Sequence, residues 1–282
     1  MIIGIDLGSS GTKAIALEKS QILSLEKINK GDVPNSAQNA LKAVLQAAGK
    51  GVGDVKGVAV SGVGARVVGD TLLGLPITRV DEIRAIGIGG LELSGKRKAL
   101  IVSMGNGTAI VVASGKGRRI NHIGGTGVGG GTIEGLSRRM FGVDDFERIE
   151  EMAERGCRYN VNQTVVEVAG GPVGIVPGDA TTSNFKKLNS QTSADDVALA
   201  IFDLVAEVVG MVTVMAARAY HLEEDTIFVG KVIQNRKIAE RIQAVANIFN
   251  MKFGIPKNGD YCTAIGAAKS IILKNREKAR AF

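Results

Sequence analysis

The sequence predicts an α/β protein built from two related halves, and three observations carry the prediction. "MIIGIDLG" and "GTKAIALE" read as short strands with glycine turn chemistry, Gly8 to Gly11, between them. "ALIVSMGNGTAIVVASG", beginning at Ala99, repeats that plan of strand, polar glycine turn and strand. The 282 residues are 45% hydrophobic, enough to bury one large core or two medium ones. The expected division is a first lobe over 1–97 and a second over 98–282.

Each element follows from a local pattern. The first glycine turn leads into a second strand rather than a helix, so the opening is a hairpin. A Rossmann or P-loop phosphate site, which needs strand, glycine loop and then helix, is disfavoured. "NSAQNALKAVLQAAG" predicts a helix over 35–49, "VKGVAVSGVGAR" a buried strand ending in a glycine turn, and "LPITRVDEIRAIGIGGLEL" a strand followed by a helix. The glycine-rich run ending at Gly131 predicts a helix from about Thr132. "IVPGDATTSNFKKL" reads as a Pro-Gly-Asp turn before a capped helix, or as a segment that brings Asp179 toward an acceptor pocket or a subunit interface. "IFVGKVIQN" reads as strand, glycine turn and helix, and "CTAIGAAKS" as a closely packed small-residue helix.

The most apolar stretch, 197–222, is interrupted by Asp203, Glu207 and Arg218. It predicts a core helix rather than a bilayer span, with Ser193 as N-cap and Asp196 three residues on. With 35 Lys and Arg against 28 Asp and Glu, the net charge of +7 suits acidic small molecules. Only 4% of residues are aromatic and there is no Trp. The basic residues are scattered apart from "KGRR" and the tail "KNREKARAF", so no stacking platform for nucleic acid is expected. Two cysteines far apart in sequence, Cys157 and Cys262, and an N-terminus without a secretion pattern predict a reduced, cytoplasmic setting.

Several residues carry candidate chemistry. Asp6, at the end of a strand and the start of a glycine turn, suits an Mg²⁺ ion held largely through water, or the closing of an Asx turn. Gly8, Ser10, Thr12 and Lys13 suit contacts to a polyphosphate, glycine by permitting close backbone approach and lysine as a point charge; a solvent-facing strand lysine is the alternative for Lys13. Gly105, Asn106 and Gly107 form the matching turn of the second hairpin. Two such turns facing one cleft would present backbone amides and small hydroxyls to a single triphosphate. Gly129, Gly130, Gly131 and Thr132 place amides at a helix start, where an anion is favoured.

Four motifs in order, "VSMGNGT", "GGTGVGGGTIEGL", "PGDATTSNF" and "IFVGKVIQN", with "RVDEI" ahead of the second hairpin, resemble the type II and eukaryotic-like pantothenate kinases. The resemblance covers almost the whole chain. It implies the two-lobed, duplicated actin/hexokinase-like (ribonuclease H-like) fold with a central cleft. The implied activity is transfer of the ATP γ-phosphoryl group to the hydroxyl of pantothenate, with Mg²⁺, in a homodimer open to regulation by coenzyme A or its thioesters. Glu82 falls at the general base, with Asp81 beside it as a competitor; Gly230 falls near the adenosine, and Thr108 at an acceptor hydroxyl contact. His122 stands where the relatives carry the arginine that binds the pantothenate carboxylate, so Arg118 or Arg119 is the alternative anchor. Other readings on the same fold are an ATPase activator of a partner enzyme, a degenerate nucleotide or coenzyme A sensor, and a sugar kinase.

Overall fold

The computed structural model describes residues 1–19, 21–29 and 31–278; the end of the basic tail, 279–282, lies outside the described residues. The chain separates into two compact units. One comprises Met1–Ile101, Ile110–Gly124 and the segment from Pro256 on, and the other Val102–Ala109 and Gly125–Ile255.

The first unit opens with the hairpin β1 (Ile2–Gly8) and β2 (Gly11–Glu18), followed by β3 (Gln21–Asn29) and helix α1 (Val33–Ala47). Asp32 caps α1 by accepting from the Asn35 amide, and Pro34 sits in the first turn, where a missing N–H costs nothing. Strands β4 (Gly57–Ser61), β5 (Thr71–Leu72) and β6 (Leu75–Arg79) complete a six-stranded sheet of order β3-β2-β1-β4-β6-β5. β1 runs antiparallel to β2 and parallel to β4. Helix α2 (Glu82–Ser94) and the last helix, α8 (Cys262–Lys278), belong to the same unit.

Alternation along β1 and β2 sorts their side chains between two cores. Ile3, Ile5, Leu7, Ala14 and Ala16 are buried with Ala37, Ala40, Leu41 and Val44 of α1. Ile15 and Leu17 are buried with Ala264, Ile265 and Ala268 of α8. Helix α8 lies very close to both sheet and helix: a Cβ on Gly4 would fall on the Ala264 carbonyl oxygen, and one on Gly266 on the Ala85 carbonyl oxygen. Small residues here are required by backbone approach, as expected for "CTAIGAAKS".

The second hairpin, β7 (Lys98–Met104) and β8 (Thr108–Ser114), continues into β9 (Arg119–Thr126). The second unit adds α3 (Gly130–Phe141), α4 (Phe146–Arg155), β10 (Gln163–Thr164), α5 (Val165–Ala169), β11 (Thr181–Ser183), α6 (Ala194–Tyr220), β12 (Thr226–Val229) and α7 (Arg236–Ile248). A four-stranded sheet has the order β12-β7-β8-β9. Read from the other edge, β9-β8-β7-β12 repeats the β3-β2-β1-β4 arrangement, which is the duplication expected from the two hairpins.

Helix α6 is long and apolar enough to cross a bilayer by composition, yet most of its apolar side chains are buried inside the unit. It packs against α3, α4 and α7, and Phe202 stacks on Phe146 at 5.9 Å. Its cap is the expected one, Ser193 accepting from the Asp196 amide. Two expectations change. The helix after the glycine-rich run begins at Gly130, one turn-fraction before Thr132. No helix follows the Pro-Gly-Asp turn, because Thr181–Ser183 pairs with β10 instead.

Candidate active site

In the first unit, the pleat brings Asp6 and Lys13 together as direct cross-strand partners on the face that α8 covers. Lys13 is largely buried, and its ammonium donates to the Asp260 carbonyl at 2.7 Å, with the Asp260 carboxylate at 3.8 Å. The solvent-facing reading of this lysine is therefore overturned. Burial pushes the Asp6 carboxyl up to about 7, against the pull of Lys13 and with a further push from Glu82. Asp6 thus feels the charges of both Lys13 and Glu82 within one unit.

Two features beside Asp6 escaped the sequence reading. Ser61, its register partner on β4, is fully buried with a hydroxyl that has no hydrogen-bond partner among the described residues. Gly62 follows at φ 86°, and a Cβ there would stand 2.6 Å from Asp6 Oδ1 and 2.8 Å from the Leu7 carbonyl oxygen. The glycine keeps one side of the carboxylate clear. "VSGVG" carried this signal as a glycine turn directly after a buried strand.

The pair Asp81 and Glu82 separates by role. Asp81 is the N-cap of α2 and accepts from the Arg84 amide at 3.0 Å. Glu82 begins the helix, and desolvation followed by the Asp81 charge raises its carboxyl above the ordinary glutamate range. Of the two, only Glu82 has a carboxylate not committed to capping.

The other first-unit candidates divide. Gly8 pairs with Gly11 across the turn that contains Ser10, and both Gly8 and Ser10 are exposed. Thr12 pairs with Leu7 on the opposite face from Asp6 and is 4% exposed, so the fold does not bring its side chain to the carboxylate. On β9, Ile120 packs toward Gly87 of α2. His122, two residues on, shares that strand face, whereas Arg119 stands on the other. Both are exposed, and strand geometry prevents them from acting from the same face.

In the second unit, the turn Gly105–Asn106–Gly107 closes with the Gly105 amide on the Gly107 carbonyl at 2.9 Å. The start of α3 docks directly onto it. The Gly130 amide donates to the Gly105 carbonyl and the Gly131 amide to the Asn106 carbonyl, each at 2.9 Å. The Gly129 amide donates to Thr132 Oγ1 at 3.2 Å, and that hydroxyl donates to the Gly127 carbonyl. A Cβ on Gly129 would lie 2.7 Å from the Asn106 carbonyl oxygen, and one on Gly131 2.5 Å from Asn106 Oδ1. The Gly130 and Gly131 amides thus satisfy hairpin carbonyls, and the missing side chains permit the docking. Thr108 is buried and donates to the Val128 carbonyl at 2.8 Å, tying β8 to the same loop. Gly230 follows β12 at φ 100°, and a Cβ there would collide with the Met104 backbone at the base of the turn.

A buried charge cluster lies elsewhere in this unit. Arg158 Nε approaches Asp203 Oδ2 at 2.8 Å, and Arg241 Nε donates to Glu207 Oε1 at 2.7 Å. Both guanidinium groups also donate to Thr181 Oγ1, and Asn184 donates to Glu207 Oε2 at 2.9 Å. Desolvation raises the Asp203 carboxyl while the two arginines oppose it. The cluster pins the Thr181–Asn184 segment to α6, a structural use of "PGDATTSNF". Its signal was two carboxylates four residues apart on an otherwise apolar helix.

Comparison with known proteins fits this arrangement. A family model described as Fumble matches residues 98–269. The type II pantothenate kinase of Bacillus cereus is 27% identical over 276 residues, covering 94% of this chain and 96% of that protein. The activator of the 2-hydroxyisocaproyl-CoA dehydratase from Clostridium difficile, solved with bound ADPNP, superposes with a TM-score of 0.69 at 18% identity, over 100% of this chain and 97% of that one. A ROK family glucokinase from Streptomyces griseus, in complex with glucose and AMPPNP, does so with a TM-score of 0.60 at 14% identity, over 95% and 98%. The chain shares the actin/hexokinase-like fold of these structures, and it belongs to the Fumble family.

Proposed function

We propose that this protein is an ATP-dependent phosphotransferase acting on a small hydroxyl compound, with pantothenate as the acceptor. The observation that carries the reading is the grouping of Asp6, Lys13 and Glu82, in which a desolvated carboxylate stands near a buried ammonium and a second, uncommitted carboxylate. Relatives named pantothenate kinase along nearly the full chain support the acceptor, and nucleotide complexes of the structural neighbours support ATP. A cytoplasmic homodimer sensitive to coenzyme A thioesters is part of the same proposal.

The acceptor hydroxyl attacks the γ-phosphorus, the bond from that phosphorus to the β,γ-bridging oxygen breaks, and ADP leaves. Glu82 orients the hydroxyl and takes its proton late, as suits a loose transition state. Desolvation and the Asp81 charge raise this carboxyl, which makes its carboxylate a stronger proton acceptor than an ordinary glutamate. His122 lies on the α2 face of β9 and is the acceptor's carboxylate contact. An imidazole offers no two-pronged fork, so the acceptor is held less tightly than by arginine.

The residues present fit Mg²⁺. Asp6 supplies a hard oxygen, and Gly62 leaves the carboxylate flank clear. Such a cation would be held by Asp6, water and substrate phosphates, and would neutralise triphosphate charge. The test is ATP-dependent phosphorylation of a panel led by pantothenate and pantetheine, with products identified by mass. A product from pantothenate, absent with Glu82→Gln, supports the proposal; a product only from another alcohol replaces the acceptor and keeps the chemistry.

The likeness to a dehydratase activator favours one second reading, an ATPase that drives a partner enzyme. Cys262 is buried, its Sγ–H donates to the Ile86 carbonyl, and burial with Asp6 nearby pushes its thiol up, which disfavours the thiolate a cluster takes. Metal analysis of anaerobically purified protein decides: stoichiometric iron without acceptor-dependent ADP release favours the activator.

A further inference from the structure

A cavity lies in the first unit, lined by none of the residues assigned to phosphotransfer. It occupies about 480 Å³ between the C-terminal half of α2, the outer half of α8 and the turn joining β8 to β9. Ile88, Leu91, Ile272 and Leu273 give it an apolar surface. Five cations, Lys96, Arg97, Lys116, Lys269 and Arg276, surround that surface against a single carboxylate, Glu92.

The wall is built rather than incidental. Lys269 is 7% exposed and its ammonium meets Glu92 at 2.7 Å, so this pair is neutralised. Arg97, Lys116 and Arg276 are exposed and form no ion pair with a described residue. Lys116 sits at φ 59° between Gly115 and Gly117, a left-handed turn that a lysine does not choose on its own. The Gly115 amide donates to the Arg97 carbonyl at 3.3 Å, which fixes this turn against the loop after α2. Cations near helix C-termini gain something from the dipoles, but crowding three unneutralised charges around an apolar concavity costs repulsion that an anion would remove.

We propose that this cavity binds a small organic anion, a phosphate or carboxylate joined to a short aliphatic segment. The apolar surface takes the chain and the mouth takes the charge. The concavity suits a single small molecule, and the inference does not depend on the phosphotransfer reading. A free metabolite and a lipid share this chemistry.

The test uses octyl phosphate below its micellar concentration, with inorganic phosphate and the neutral octyl glucoside as comparators, titrated calorimetrically into the full chain. Octyl phosphate should saturate one site and bind at least about tenfold more tightly than inorganic phosphate, because its chain is buried. The doubly charge-reversed Arg97→Glu/Lys116→Glu protein, both positions exposed, should lose about tenfold or more of that affinity while melting like the parent. Leu273→Asp, which places a charge on the apolar surface, should weaken octyl phosphate and leave inorganic phosphate unchanged. Co-sedimentation with phosphatidylglycerol vesicles that disappears in the charge-reversed protein identifies a lipid source, and octyl phosphate binding without sedimentation a free metabolite. Equal binding of all three probes, or octyl phosphate binding unaffected by charge reversal, overturns the proposal.

Discussion

The two hairpins occupy equivalent places in sheets of the same strand order, yet their turns are used in opposite ways. The first turn, Gly8 to Gly11, is exposed at its tip and stands over a desolvated carboxylate, Asp6. The second, Gly105 to Gly107, is occupied by protein, because the amides of Gly130 and Gly131 close onto its carbonyls. Similar glycine-rich sequences thus leave an exposed edge in one case and support backbone docking in the other. A glycine cluster signals close approach, and only the partner reveals what approaches.

The sharpest way to break this contrast is to remove the charge from the open turn. Asp6→Asn should lower ATP-dependent phosphorylation by about a thousandfold or more, read as acceptor-dependent ADP release. The same change should stabilise the ligand-free protein. A carboxyl raised from 3.8 to about 7 on folding contributes stability that is present below pH 3.8 and lost as pH rises through about 7. At pH 8 the variant should gain about 1–2 kcal/mol in urea unfolding, and that gain should vanish near pH 4. A variant that is inactive and less stable at pH 8 would remove burial as the cause of the raised carboxyl.

Next in size, Glu82→Gln should reduce kcat by about a hundredfold or more with KM for ATP little changed. The parent's kcat should fall as acid protonates Glu82, at a pH above that expected for an ordinary glutamate, since its carboxyl is raised. Gly129→Ala should cost about 2–3 kcal/mol, because the added methyl meets hairpin carbonyls at 2.7 and 3.0 Å. Gly8→Ala meets only the Gly11 carbonyl, at 3.2 Å, and should cost less than about 1 kcal/mol while weakening ATP binding. Equal losses of stability at both glycines would erase the distinction between the turns. The smallest effect is expected for Asp81→Ala, about 1 kcal/mol of stability through the lost cap, with kcat within a few-fold of the parent.

Local chemistry in the sequence determined a great deal. Alternation in "IIGIDLG" and "GTKAIALE" specified a hairpin with Asp6 and Lys13 on one face, and the same rule puts Thr12 on the other. The N-cap at Ser193 was legible because it depends on a residue only three positions away, whereas the capping role of Asp81 emerged only in the fold. Duplication was legible because the strand and turn pattern recurs. Tertiary structure decided what distance in the chain hides. Asp260 reaches Lys13, the start of α3 fills the second turn, and Arg158 and Arg241 neutralise the carboxylates that interrupt α6. Secondary structure follows from near-neighbour sterics and hydrogen bonding, whereas desolvation and charge pairing depend on which remote segments pack together. Which glycine leaves room for a ligand and which for a backbone is set by that packing alone.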